Sequence, residues 1–192
     1  MEPPAHVPVL LREVLEALRP ERGGVLVDAT LGLGGHAEAL LEAAPSVRLV
    51  GIDRDPEALA FARARLARFG DRFVAVEGRH EELALHLDRL DLPEVDGVLA
   101  DLGVSSMQLD RAERGFSFMK DGPLDMRMGR TGPTAADLVA ELPGEELARV
   151  FRDYGEEPRA KAVARAVVTA RETAPIRTTG ELRALVAKAV GG

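Results

Sequence analysis

The first hundred residues alternate between short apolar runs and segments with helical spacing. Apolar runs at 25–28, 47–52, 73–76 and 98–100 predict four buried strands. Between these runs, apolar residues recur every three or four positions, which predicts helices. Near-continuous apolar strands are typical of a sheet covered on both faces. The pattern therefore predicts an α/β fold with a doubly wound parallel sheet and right-handed crossovers.

The pattern changes after the fourth predicted strand. Residues 102–133 combine glycine, serine, proline and charge without sustained periodicity, and they hold all four internal methionines. The remainder is predicted to be helical, and its last helix opens with a capping box from Thr178 to Glu181. An earlier predicted helix has one apolar face, formed by Leu147, Val150, Phe151 and Tyr154. The predicted regions are an α/β domain at 1–104, a loop region at 105–133 and a helical subdomain at 134–192.

Composition narrows the class of protein. The 192 residues are 46% hydrophobic and 30% charged, which excludes native disorder, and the net charge of −7 excludes a basic nucleic-acid coat. The absence of cysteine excludes disulfides and cysteine chemistry. No apolar run is long enough for a membrane helix and residues 1–4 open no signal peptide, so we expect a cytoplasmic protein without membrane contact.

Two further compositional features bear on source and chemistry. The chain has no Asn and a single Gln, Gln108, and it has many more Arg than Lys. This bias fits a thermophilic source, and a GC-rich genome explains the Arg excess equally well. The four histidines show no metal-ligand spacing, so no metal site is expected.

A glycine-rich loop at 28–36 connects the first predicted strand to its helix. Glycines allow a backbone to turn sharply and to approach a ligand closely. A tight strand–helix turn without a ligand is the alternative interpretation. Asp53 ends the second strand, 19 residues beyond Gly34, and an acidic side chain there can accept both hydroxyls of a ribose. The loop and Asp53 together predict a nucleoside-containing cofactor.

Two carboxylates favour S-adenosylmethionine over NAD as that cofactor. Asp28 lies directly before the glycine loop, where a carboxylate suits a sulfonium with an ammonium tail better than a pyrophosphate. Asp101 begins the segment 101–106, which follows the fourth strand and would lie beside the reactive end of the cofactor.

Several motifs together resemble one family, the RsmH/MraW methyltransferases of the small ribosomal subunit. They lie at 6–11, 28–36, 51–56, 101–110, 114–118, 122–128 and 154–157. The resemblance runs from His6 to about Thr179 and is far more specific than a glycine loop. It implies a Rossmann-like class I S-adenosylmethionine-dependent methyltransferase with an appended helical subdomain. The implied reaction is N4-methylation of a specific cytidine in 16S ribosomal RNA, with the small subunit as partner.

The resemblance also implies site residues. His80 takes the position near the adenine, which is often Phe in the family, and an imidazole can stack on a purine. The other cofactor contacts implied by the family are Gly34, Gly35, His36, Asp53, Asp101 and Gln108.

Transfer to an exocyclic amine needs a proton acceptor, because that nitrogen must lose a proton. Asp101 is the first candidate, and Ser105 or a nearby backbone carbonyl is the second. Capping of a helix or turn is the alternative role for Asp101. For Gln108, whose amide can both donate and accept, the alternative is stabilisation of a turn.

Candidate RNA contacts lie later in the chain. Phe116 and Phe118 could stack on an extruded base or belong to a satellite core. Residues 158–177 carry five basic side chains against one acidic, and Arg159 and Arg165 are candidates for phosphate contact. A solvated helix face is the alternative.

Relatives in the family continue past the last helix and supply further strands, whereas this sequence stops at residue 192. We therefore expect the fourth strand to be a sheet edge. We expect the chain to be part of a longer protein, and the alternative is that the helical segment covers this edge. Two other functions remain open: a non-catalytic RNA-binding or assembly factor that retains the fold, and an NAD-dependent oxidoreductase.

Overall fold

A computed structural model describes residues 8–191, and for Ser106 the backbone alone. Residues 1–4 and the first motif residue, His6, lie outside the described residues. The chain forms two compact units, one up to Gly103 and one from Val104 onward.

The first unit is built on a parallel sheet of four strands: β1 (Gly24–Asp28), β2 (Val47–Asp53), β3 (Phe73–Glu77) and β4 (Gly97–Leu99). Its helices are α1 (Leu11–Leu18), α2 (Gly35–Ala43), α3 (Pro56–Leu66) and α4 (Leu83–Arg89). The strand order is β3-β2-β1-β4 and all three pairings are parallel. The predicted doubly wound sheet is confirmed. The order reverses between β1 and β4, which is where such sheets bind ligands.

Both faces of the sheet are covered, as the unbroken apolar runs predict. Neighbouring residues in a strand point to opposite faces. Leu26 and Leu49 pack in one cluster with Leu40 and Leu59, and Val27 belongs to the cluster on the other face.

β3 and β4 are the outer strands of the sheet, as expected for β4. Val98 in β4 is 44% exposed. β4 also ends at Leu99, so the prediction that the strand extends to residue 100 is wrong. The reason is that β1 turns away after Asp28, which ends the pairing at Leu99.

The second unit is helical: α5 (Ser106–Asp110), α6 (Ala135–Glu141), α7 (Gly144–Asp153), α8 (Ala160–Thr173) and α9 (Thr179–Val190). The capping box from Thr178 to Glu181 is present at α9, as predicted. Leu147 and Val167 are buried in its core, together with Leu124 from the predicted loop region. No helix in the described part of the chain is both long and apolar enough to cross a membrane.

Tyr154 does not share the buried face of α7 predicted for it. The helix ends at Asp153, and Tyr154 follows as its C-terminal cap with 84% of its surface exposed. Leu147 and Phe151 of the predicted face pack in the core as expected.

Candidate functional site

The carboxyl ends of β1 and β2 are joined by the glycine-rich loop. The backbone N–H of Gly32 donates to Asp53 Oδ2 at 2.8 Å, and the N–H of Leu31 donates to the carbonyl of Ile52 at 2.9 Å. Asp53 Oδ1 accepts from the N–H of Asp55, also at 2.8 Å. The Asp53 side chain is therefore fixed at both oxygens, and each oxygen retains a lone pair for a further donor.

Gly32 leaves open space next to Asp53. Its φ is +52°, a conformation that favours glycine. A Cβ built on it would meet, among the described residues, only the Thr30 carbonyl oxygen at 3.8 Å. The loop therefore exposes bare backbone at the position where a ligand would reach the Asp53 carboxylate.

Asp28, at the end of β1, is a buried carboxylate, with 1% of its surface exposed. Burial raises its pKa to about 6, opposed by the hydrogen bond from the Thr30 N–H and by the nearby His36 ring. The neighbouring Asp53 adds a smaller upward contribution to this pKa. An acid with this pKa is mostly ionised at neutral pH, so the loop region carries negative charge at its base.

The start of α2 is set by three residues predicted to contact the cofactor. Gly34 caps the helix with φ +78°, and a Cβ on Gly35 would lie 2.7 Å from the Pro8 ring. The His36 ring is buried, and its Nε2 lies 2.9 Å from the carbonyl of Val9. That carbonyl can only accept, so Nε2 carries the proton. The geometry gives these residues a local structural role, and their contact with a cofactor stays a prediction.

Asp101 lies two residues beyond β4. Its backbone N–H donates to the Thr30 hydroxyl oxygen at 2.7 Å, and its side chain is exposed. Asp28 and Asp53 are the last residues of β1 and β2, and Asp101 follows β4. All three therefore lie at the carboxyl ends of adjacent parallel strands. Capping would require the Asp101 side chain to accept a hydrogen bond. Among the described residues only its backbone N–H is hydrogen-bonded, so the described contacts do not show a cap.

His80 follows β3, the strand next to β2. It begins a short 3-10 turn and is exposed. The preceding Gly78 donates its N–H to the Asp53 carbonyl at 2.9 Å, which ties this turn to the end of β2. His86 packs directly behind Gly78 and is only 4% exposed.

The other predicted site residues belong to the second unit. Ser105 and Gln108 form a capping box at α5: the Ser105 Oγ accepts from the Gln108 N–H at 3.2 Å, and Gln108 Oε1 accepts from the Ser105 N–H at 3.0 Å. Gln108 is 6% exposed. The turn-stabilising role considered for Gln108 is therefore present. Its contact with a cofactor stays a prediction.

The two candidate aromatic residues differ in exposure. Phe116 is half-buried, whereas Phe118 is 67% exposed and its neighbour Met119 is 78% exposed. Arg183 of α9 donates from Nη1 to the Phe118 carbonyl at 3.2 Å. Phe118 therefore presents its ring to solvent from a backbone that α9 holds in place, which a satellite core residue would not do.

The basic side chains of residues 158–177 have different roles. Arg171 donates from one Nη1 to the carbonyls of Val139 and Leu142, at 2.6 and 2.8 Å, and so caps the C-terminus of α6. Arg159 donates to the Val190 carbonyl at the end of α9. Arg165 is exposed on α8. Both predicted phosphate contacts are exposed, and Arg165 differs from Arg159 in that its side chain makes no hydrogen bond to the described residues.

Thr30 is the residue of this site that sequence reasoning missed. A Thr two positions after a strand-ending Asp is the pattern of a side-chain-capped turn, and Asp28 Oδ1 does accept from the Thr30 N–H at 3.1 Å. That local signal was available in the sequence. The bond between Thr30 and Asp101, which is 71 residues away, has no such local signal.

Comparison with known proteins identifies the family of this chain. A family model described as the MraW methylase family matches residues 4–192. The chain belongs to the MraW methylase family. Ribosomal RNA small subunit methyltransferase H from a Nocardioides species is 56% identical over 186 residues, covering 95% of this chain and 58% of that protein. The protein of the same name from Thermobifida fusca is 54% identical, covering 97% of this chain and 58% of that protein.

This member of the MraW methylase family thus spans a little under three fifths of the length of the curated relatives it matches. Among solved structures, an RNA methyltransferase from Salinibacter ruber in complex with S-adenosyl-L-homocysteine has a TM-score of 0.41 and 23% identity. The match covers 69% of this chain and 83% of that one.

Proposed function

We propose that this chain carries the cofactor-binding part of a methyltransferase that modifies the N4 atom of a cytidine in 16S ribosomal RNA, using S-adenosylmethionine, in the cytoplasm. Membership of the MraW methylase family supports the reaction class. The names of the relatives support small-subunit ribosomal RNA as the substrate. The observation that carries the proposal is the bond between Gly32 and the Asp53 carboxylate beside an open loop face.

The chemistry of the donor set fits a cationic nucleoside cofactor. Asp28, Asp53 and Asp101 follow adjacent strands, so an anionic pyrophosphate would meet repulsion where a sulfonium and an ammonium meet attraction. Asp53 would hold the ribose hydroxyls, and the backbone of the loop would lie against the rest of the nucleoside. His80 would stack on the adenine. The same charge argument disfavours NAD.

When bound, S-adenosylmethionine supplies an electrophilic methyl group. The task of the chain is then to orient the acceptor amine, to exclude water and to take up a proton. The Asp101 carboxylate suits the last of these tasks, because it is exposed and no hydrogen bond of the described residues occupies its oxygens. Ser105 is less suited, because its Oγ already accepts from Gln108.

We assign RNA recognition to the second unit. The exposed Phe118 ring can stack on a base, and the half-buried Phe116 is a second candidate. Arg165 supplies a phosphate contact from α8. Arg159 contributes less, because it already donates to the Val190 carbonyl. In this division the region 1–104 binds the cofactor, and the regions 105–133 and 134–192 contact the substrate RNA.

Methyl transfer tests the proposal directly. Small subunits lacking the modification are incubated with the protein and S-adenosylmethionine carrying a tritiated methyl group, and the RNA is digested to nucleosides. The expected product is labelled N4-methylcytidine, with loss of at least about 100-fold in rate for Asp101→Ala, the size of a general-base contribution. Label in another nucleoside, or equal rates for the two proteins, would contradict the assignment.

A further inference from the structure

Thr30 extends the connection between β1 and β4 beyond their last main-chain hydrogen bond. β1 and β4 pair in parallel register up to Asp28 opposite Leu99, and the Ala29 N–H still donates to the Leu99 carbonyl at 2.8 Å. At Leu31 the chain has already turned towards β2, where its N–H donates to Ile52. The next donor on the β4 side is the N–H of Asp101. It finds the Thr30 hydroxyl, at 2.7 Å, in place of a main-chain acceptor.

The Thr30 side chain is itself held in place. Its backbone N–H donates to Asp28 Oδ1 at 3.1 Å, and its hydroxyl lies 3.5 Å from the same oxygen. A hydroxyl has one proton and two lone pairs. With the proton directed at the Asp28 carboxylate, the lone pairs face the Asp101 N–H. Asp28 thus orients Thr30 so that it accepts from Asp101.

One short loop therefore contacts both candidate residues. Gly32 binds the side chain of Asp53 on the β2 side, and Thr30, two residues earlier, binds the main chain of Asp101 on the β4 side. The Asp101 side chain is exposed and has no bond of its own among the described residues. Thr30 therefore holds the main chain from which the Asp101 carboxylate projects.

We propose that Thr30 is a positioning residue that places the Asp101 carboxylate against the cofactor through its hydroxyl group. The inference rests on the proposed function. Its specific content is that Thr30 acts on ligand binding through Asp101 and not through general stability of the loop. A purely structural role would weaken binding whether or not Asp101 is present.

The test is a double-mutant cycle on the affinity for S-adenosyl-L-homocysteine, measured by calorimetry on this chain. Thr30→Val removes the hydroxyl at nearly constant volume, and Thr30→Ser retains it. Loss of one hydrogen bond predicts that Thr30→Val weakens binding by at least about fivefold, whereas Thr30→Ser stays within about twofold of wild type. In an Asp101→Ala background, Thr30→Val should have no further effect. Thr169→Val, at an exposed position on α8, is the matched control.

A local readout accompanies the titration. Amide hydrogen exchange measured by NMR should be faster at Asp101 in Thr30→Val, and Thr30→Ser should restore it. If Thr30→Val does not fold, Thr30→Ala takes its place in the same cycle. Equal weakening with and without the Asp101 side chain, or unchanged affinity in the wild-type background, overturns the inference. If the wild-type chain itself does not bind S-adenosyl-L-homocysteine, the proposed function fails first.

Discussion

The carboxylate of Asp53 accepts a hydrogen bond from the backbone N–H of Gly32, 21 residues earlier in the chain, at 2.8 Å. This bond ties the glycine loop to the end of β2 and leaves the face of Gly32 open. The proposed ligand site therefore consists of one side chain and one bare stretch of backbone, and the two can be tested separately.

Substitution of Gly32 tests the open backbone. Gly32→Ala adds a methyl group where a ligand would lie, at a φ of +52°, so we expect a modest loss of about 1–2 kcal/mol in unfolding free energy. We also expect a loss of at least about tenfold in affinity for S-adenosyl-L-homocysteine, because the added methyl group would occupy the space of the ligand. Gly132→Ala is the control, because Gly132 also has positive φ and open surroundings but belongs to the second unit. Unchanged affinity in Gly32→Ala would show that no ligand approaches this loop.

The buried Asp28 predicts a characteristic pH dependence of stability. Its pKa is raised to about 6 from an ordinary 3.8, mainly by burial, so the folded state binds this proton more tightly than the unfolded state. The stabilising contribution is complete below pH 3.8 and is lost as pH rises through 6. Asn at this position does not titrate. Between pH 4 and pH 7 the free energy of unfolding of Asp28→Asn should therefore rise by about 2 kcal/mol relative to that of wild type.

Chemical denaturation at a series of pH values measures this difference. Asp121→Asn supplies a control of opposite sign. The pKa of Asp121 is lowered, chiefly by the bond from the Gly180 N–H, so its contribution is present at neutral pH and is lost as pH falls. A flat difference between wild type and Asp28→Asn would show that the Asp28 carboxyl titrates normally in the folded protein.

Gly78 and His86 should be energetically coupled. A Cβ on Gly78 would overlap the imidazole of His86, which is only 4% exposed. We expect Gly78→Ala to cost about 1–3 kcal/mol of stability through overpacking. In a His86→Ala background the same change should cost at least about 1 kcal/mol less, because the obstructing ring is gone.

Denaturation curves for the four proteins of this cycle give the coupling energy. Gly144→Ala should be close to neutral, because a Cβ there makes an ordinary contact with Val168 at 3.4 Å. Strict additivity between positions 78 and 86 would contradict the packing described for the turn before His80.

Two arginines on α8 should separate stability from RNA binding. Arg171 caps α6 through the carbonyls of Val139 and Leu142, so Arg171→Gln should cost about 1–3 kcal/mol of unfolding free energy. Arg165 is exposed, so Arg165→Gln should leave stability unchanged and weaken RNA binding, with the salt dependence reduced by about one counterion. Fluorescence anisotropy with a small-subunit RNA fragment at several salt concentrations measures the second effect. Equal behaviour of the two variants in both assays would refute this division.

The strands, helices and caps of the first unit could be predicted because their signals are local. An apolar run identifies β2, and the pair Asp55 and Pro56 marks the start of α3, where the Asp55 side chain indeed accepts from the N–H of Glu57. The capping box at Thr178 is equally local. Such signals depend on residues a few positions apart, which periodicity and capping rules describe.

The contacts that give the site its geometry could not be predicted in this way. Thr30 meets Asp101 across 71 residues, and Arg171 reaches carbonyls about 30 residues earlier, so neither contact has a local signature. The same basic residues that suggest phosphate binding in the sequence can act as helix caps in the fold. The prediction that Tyr154 lies on the buried face of α7 was wrong because the apolar spacing continues past Asp153, whereas the helix ends there.

The central claim is that the Asp53 carboxylate holds a cationic nucleoside cofactor at the carboxyl edge of the sheet. Calorimetric titration of S-adenosylmethionine into wild type, Asp53→Asn and Asp71→Asn tests it most directly; Asp71 is an exposed carboxylate in the turn that leads into the start of β3. Binding by wild type and by Asp71→Asn, with at least a tenfold loss for Asp53→Asn, is the expected result. Equal affinities for all three proteins, or tighter binding of NAD by wild type, would contradict it.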